Sequence, residues 1–304
     1  MDVAVMIEGQ NGLTWPRWQR IVRAVEDLGF AGLYRSDHFT NMSPPDLDSL
    51  ELWVSLTWLA VNTKRIVFGP LVTPLSFRHP VMTLRMATAV DDLSGGRLTL
   101  GLGAGWQVRE HANYGFDLLD VRDRFARFRE GLEIATRLLR QAEPVTFSGT
   151  YFQVRDAVLL PRPRRQGGPP ILVGGSGPLR TLPMAARYAV EWNATFQTPE
   201  KFALLNRRLN TLLEKRGRKP GEVRRSMMTG VVFGRTDAEV QQRLRGRSSE
   251  TLRERGVVLG TPPAVVDHLG RLGEAGLQRV MLQWLDLDDL DGLEALAQTV
   301  RPWL

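Results

Sequence analysis

Among 304 residues this chain carries four histidines and no cysteine. One histidine stands beside an acid, in Gly32-Leu33-Tyr34-Arg35-Ser36-Asp37-His38-Phe39. An imidazole titrates near neutrality and can take or give a proton, and a neighbouring carboxylate can orient or tune it. The plainer reading is a polar loop, with Asp37 as a cap and His38 at the surface. His79 precedes Pro80, a residue suited to start a helix, and reads as structural. Glu110-His111 offers two metal ligands, but neither H-x-H nor H-E-x-x-H spacing occurs, so no metal centre is expected. The missing cysteines exclude disulfides, thiolate metal sites and a cysteine nucleophile. In Gly174-Gly175-Ser176-Gly177, glycines precede a helical pattern, and free N–H groups there suit an anion such as a phosphate. No Gly-Lys-Ser/Thr follows, so this is not a P-loop, and the register of Ser176 does not fit a nucleophile elbow. Ala104, Gly105 and Trp106 follow another apolar run. Glycine there lets backbone approach a flat ligand, with Trp106 as the wall of a substrate pocket. The Thr73 hydroxyl, at the end of a third run, is placed to reach the same pocket.

These groups follow short apolar runs that alternate with helical patterns. The runs are 3–7, 31–35, 65–72, 97–105, 170–175, 192–196, 226–234 and 279–284. After the first, Trp18, Ile21, Val22, Val25 and Leu28 fall on one helical face, stopped by Gly29. Further helical patterns fill 123–141, 179–189, 199–216, 236–249 and 262–275. Eight strand–helix repeats predict a (β/α)8 TIM barrel in one domain, 1–304. Nearly continuous apolar strands agree with a parallel sheet covered on both faces. A doubly wound sheet is the rival, weakened by the absence of G-x-G-x-x-G after the first strand. Residues 142–169 read as an insertion, a small hairpin at the barrel rim. In such a barrel functional residues lie at the C-terminal strand ends, where the clusters above fall.

The net charge is +7, almost all of it arginine spread over helix-like segments among acids. That pattern describes solvated helix faces better than a nucleic-acid surface, and no helix-turn-helix is visible. The first residues have no basic leader, and no window is apolar enough to span a membrane. The expectation is a cytoplasmic protein without nucleic-acid or membrane partners.

The clusters together resemble the luciferase-like monooxygenase superfamily, and most closely its coenzyme F420-dependent oxidoreductase branch. The resemblance rests on "SDHF", "RHP", "DDLSGGRLTLGLGAGWQVREHANYG", "FSGTYFQV", "PPILVGGSGPLRTLPMAARYA" and "EWNA", in that order along nearly the whole chain. It implies hydride transfer between the deazaflavin F420 and a small organic substrate. It makes His38 the proton-handling residue, with Asp37 holding it or bonding the ring edge. It places Thr73, Ala104 and Gly105 along the ring, and Gly174, Gly175 and Ser176 at the phosphate. Pro70–Leu71 fall where relatives have a non-prolyl cis peptide behind the ring. Arg162, Arg164 and Arg165 are candidates for attracting the coenzyme's acidic tail. An acid in sugar-phosphate-oxidising relatives is replaced here by Trp106, which argues against that substrate. Arg35 either adds a cation to the site or points outward. The alternative is a two-component monooxygenase using reduced FMN, with a separate reductase supplying it; a non-catalytic flavin-binding protein is the third reading. The family also implies a homodimer, formed through the helices after strands 2 and 3.

Overall fold

The computed structural model describes residues 1–304. Its strands are β1 (Asp2–Ile7), β2 (Gly32–Arg35), β3 (Val67–Pro70), β4 (Thr73–Pro74), β5 (Leu100–Gly103), β6 (Val145–Ser148), β7 (Gln153–Ala157), β8 (Ile171–Gly174), β9 (Glu191–Thr195), β10 (Arg224–Phe233), β11 (Val258–Gly260) and β12 (Arg279–Gln283). The helices are α1 (Trp15–Asp27), α2 (Leu52–Asn62), α3 (Pro80–Leu93), α4 (Val108–Tyr114), α5 (Val121–Arg140), α6 (Thr181–Tyr188), α7 (Pro199–Glu214), α8 (Asp237–Leu244), α9 (Ser249–Glu254), α10 (Pro262–Glu274) and α11 (Leu290–Val300). Helix α1 shows the local logic: Pro16 sits in its first turn, Trp18, Ile21, Val22 and Val25 bury one face, and Gly29 follows at φ +91°.

The parallel strands run in the order β3-β2-β1-β12-β10-β9-β8-β5-β4, and the bridge Phe68↔Leu98 brings β3 back to the β5 side. This nearly closed cylinder is the expected TIM barrel. The third sequence run forms β3, and a further short strand, β4, lies just beyond the run's end, after a cis bond between Leu71 and Val72. The expected position, Pro70–Leu71, is therefore one residue early.

Strand alternation sorts the apolar residues into two sets. Val3, Val5, Ile7 and Leu33 belong to a cluster of 63 buried residues between barrel and helices. Ala4, Met6, Tyr34, Leu71, Leu172 and Met281 form a smaller cluster inside the barrel. At the N-terminal strand ends, Arg279 Nη1 donates to the Tyr34 hydroxyl at 2.8 Å and to Glu191 at 3.0 Å. Burial pushes the Tyr34 phenol up to about 12 against the pull of Arg279.

The segment 142–169 holds the antiparallel hairpin β6–β7. Three features differ from the sequence reading. Strand β11 was hidden, being three residues that pair in parallel with the C-terminal end of the long β10. The helix expected over 236–249 breaks into α8 and α9 at Arg245, whose φ is +50°. The loop after β5 contains the short helix α4.

Candidate active site

A cavity of about 410 Å³ opens at the C-terminal end of the barrel. Its wall includes Asp37, His38, Leu71, Ala104, Gly105, Trp106, Gly174 and Gly175. Pro70, Thr73 and Ser176 lie off that wall, each for a local reason. Pro70 is paired with Arg35 between strands. The Thr73 hydroxyl donates to Asp37 Oδ2 at 2.7 Å. Ser176 Oγ accepts the Thr195 N–H at 2.9 Å, so its hydroxyl is spent on strand β9.

Asp37 and His38 are neighbours in sequence but belong to separate networks. Arg78 approaches Asp37 with Nη1 at 2.5 Å from Oδ2, and its Nη2 reaches Glu51 at 2.8 Å. Burial pushes the Asp37 carboxyl above its ordinary value, against the opposing pull of Arg78 and Thr73. His38 is held instead by Glu110: Nδ1–H donates to Oε1 at 2.8 Å, and the other carboxylate oxygen accepts the Phe39 N–H at 3.1 Å. Asp37 as the residue holding His38 is thereby corrected to Glu110. The reason is that successive residues leaving a strand point in different directions, whereas α4 folds back over the loop after β2. Gln107 fixes that fold: it caps the Glu110 N–H at 3.0 Å and donates to the Thr40 carbonyl at 2.9 Å. In the first turn of α4 the Glu110 carboxylate also meets the favourable end of the helix dipole.

Burial lowers the His38 pKa, but the hydrogen bond and charge of Glu110, with Glu8 and Asp37 behind it, outweigh burial, and the net shift is upward. Nε2 has no partner in the chain, while the ring borders the cavity and meets Trp106 edge-on at 5.4 Å. Chemically this is an oriented acid–base group with one free nitrogen.

The remaining polar residues resolve plainly. Arg35 is fully buried and points outward between barrel and helices, donating to Ser55 Oγ at 2.6 Å and the Leu50 carbonyl at 2.7 Å. His79 accepts the Val81 N–H as a helix cap. His111 bridges the Gln107 carbonyl and Ser76 Oγ at 2.7 and 2.8 Å. Arg162 donates to the Leu138 and Leu139 carbonyls at the end of α5, and Arg165 lies by Asp91 and Gly96 below the start of β5. Arg164 is tied to Asp92 through its backbone N–H. The segment runs along the opposite end of the barrel, so these arginines cannot serve a ligand in the rim cavity.

Glu8, Phe196, Met228 and Gln283 also line the cavity and were not singled out from the sequence. Glu8 and Gln283 could have been found by the rule used for His38, since each stands at the C-terminal end of a strand.

Comparison with known proteins agrees with this architecture. The chain is 33% identical over 183 residues to a 4-hydroxyprotoasukamycin monooxygenase of Streptomyces nodosus subsp. asukaensis, covering 60% of this chain and 47% of that protein. It is 32% identical over 168 residues to an F420-dependent glucose-6-phosphate dehydrogenase of Microbacterium testaceum, covering 54% and 48%. The chain thus spans about half the length of these curated relatives. A solved F420-dependent secondary alcohol dehydrogenase, in complex with an F420-acetone adduct, shares the fold at TM-score 0.85 and 18% identity, with 100% of both chains covered. Residues 1–275 match the family model of the luciferase-like monooxygenases, and the chain belongs to that family.

Proposed function

We propose that this protein is an oxidoreductase that moves a hydride between coenzyme F420 and a small organic substrate. The observation that carries the reading is the His38–Glu110 pair, a buried carboxylate holding an imidazole whose second nitrogen is free at a cavity wall. F420-dependent relatives are 32–34% identical to this chain over aligned stretches of 154–174 residues.

The residues present fit a flat, anionic cofactor. Ala104, Gly105, Gly174 and Gly175 offer backbone or a single methyl to one side of the cavity. Beyond them the N–H groups of Ser176, Gly177, Leu179 and Arg180 have no acceptor in the chain, ahead of the first turn of α6. Such free donors suit a phosphate. The Arg180 guanidinium lies nearby over Phe125, 5.9 Å from the ring centre. When bound, the deazaflavin supplies two-electron hydride chemistry; the protein's part is to orient and to manage the proton. His38 would take a substrate hydroxyl proton at Nε2, or return one to a carbonyl. Glu110 would hold Nδ1–H and stabilise the imidazolium. Asp37, fixed by Thr73 and Arg78, would bond the ring's polar edge, and Trp106 would shield the substrate.

A second reading is an FMN-using two-component monooxygenase served by a separate reductase; the first relative named above supports its monooxygenase part. Titration of the protein with F420 and with FMN, followed by cofactor fluorescence, separates the two; tight FMN binding without F420 binding would sink the first. His38→Ala should abolish turnover while cofactor affinity stays within about threefold. Retained turnover would refute the role of His38. A homodimer would use α2 and α3, which pack together and expose Val54, Val61, Met82 and Leu93.

A further inference from the structure

A second cavity, about 580 Å³, abuts the first and shares Glu8, His38, Trp106 and Gln283 with it. Those four residues form the partition between them. The inner cavity carries the glycine-lined wall; the outer one opens under the segment 41–47 and is bordered by Met42, Leu47 and Leu285, all exposed. A molecule reacting at His38 from the outer side would lay the rest of its body there.

The charged residues that line the outer cavity are of one sign apart from His38. No lysine or arginine lines either. Two arginines on the loops that frame them are already neutralised: Arg78 by Asp37 and Glu51, and Arg109 by a two-pronged pair with Asp46 at 2.7 and 2.6 Å. Arg124 and Arg180, which have no acidic partner, lie on the inner side, by Gly105 and Phe125, away from the outer cavity. Glu8, in contrast, has no salt bridge and is bonded only by neutral amides, Gln10 at 2.9 Å and Gln283 at 2.6 Å, so it sets a carboxylate at the partition. An anionic substrate would lose hydration beside a like charge with no cation to replace water. An ammonium at the far end of a molecule reacting at His38 would sit away from Glu8 and lose hydration against Met42, Leu47 and Leu285.

We infer that the outer cavity selects an uncharged alcohol or carbonyl compound with an apolar body, and rejects phosphorylated or carboxylated substrates. This deepens the proposed function and rests on its placing the cofactor in the inner cavity. The test uses the protein saturated with whichever of F420 and FMN it binds. Ligand-observed NMR then compares octan-2-ol with 7-hydroxyoctanoate and 8-aminooctan-2-ol, which differ only at the far end. The expected result is octan-2-ol binding at least about tenfold tighter than either charged probe. Met42→Arg, an exposed position outside the proton machinery, should recover most of the loss for 7-hydroxyoctanoate. Equal or tighter binding of a charged probe, or no binding of octan-2-ol, overturns the inference. A protein that takes FMN instead of F420 but keeps the preference supports this inference while overturning the cofactor assignment.

Discussion

Glu110→Gln is the sharpest perturbation of the site. It leaves the side chain's size nearly unchanged and its amide oxygen can still accept the Phe39 N–H. What it removes is the charge 2.8 Å from His38 Nδ1. A hydrogen bond to a charged group contributes about 1.5–3 kcal/mol. At about 1.4 kcal/mol per pKa unit, the His38 pKa should fall by roughly one to two units. Burial, the largest influence and a lowering one, would then be opposed only by the smaller pulls of Glu8 and Asp37, so the variant's imidazole should titrate below its ordinary value. Stability follows with a definite sign. In the parent the folded-state pKa is raised, so the pair's contribution is full below the unfolded value near 6.5. It is lost as pH rises through the folded value. In the variant this loss should vanish, and low pH should destabilise instead. The assay is a proton–carbon NMR titration of the four histidine rings, with His38 assigned by its absence in His38→Ala, beside urea unfolding at pH 5 and pH 9. The limb of the kcat/KM profile set by neutral His38 should move to lower pH with the ring. An unshifted His38 titration in the variant would refute the pairing as the source of its basicity.

Other perturbations test the rest of the site. Arg78→Met strands the Asp37 carboxylate, which is 1% exposed, and should cost about 3–5 kcal/mol in urea unfolding. Because the Asp37 pKa is already raised, ionising it opposes folding; the penalty should therefore be larger at pH 7 than at pH 3, and a pH-independent penalty would contradict the pairing. Gly105→Ala adds a methyl where φ is +84° and Ser76 Oγ would lie 2.7 Å away, so it should destabilise by roughly 1–3 kcal/mol and disturb the His111 ring signals. Trp192→Ala removes a fully buried ring stacked on Phe202 at 5.5 Å; calorimetry should report a loss of about 3–5 kcal/mol without a change in the His38 titration.

The barrel was legible because its information is local. Each strand–helix unit announces itself by a change of period, and the eight runs correspond to β1, β2, β3, β5, β8, β9, β10 and β12. The inserted hairpin was legible as an irregular stretch between helix and strand. What stayed hidden were pieces too short to carry a period, such as β11, and partners far apart in sequence. Glu110 lies 72 residues from His38, and Arg78 lies 41 from Asp37. Adjacency suggested that Asp37 serves His38; only the fold shows that each has a partner of its own.

Yet one further layer of the site follows from strand parity alone. Met6, Tyr34, Leu172 and Met281 point into the barrel, so residues two further along should point the same way at the rim. Those residues are Glu8, Ser36, Gly174 and Gln283, and all four line the cavity. The registers Met6↔Tyr34 and Met6↔Gln283 put them on adjacent strands. The same parity decides Arg35: it alternates with Tyr34 and shares the outward face of Leu33, so it had to leave the barrel. Ser36 therefore stands at the cavity wall where Arg35 would have offered a cation, its hydroxyl already taken by the Gly9 N–H and Gln10 Oε1. Shifting β2 by one residue would reverse this, burying a guanidinium in the wall of the inner cavity and making that wall an anion site. Register, more than residue type, sets the sign of charge that the rim presents.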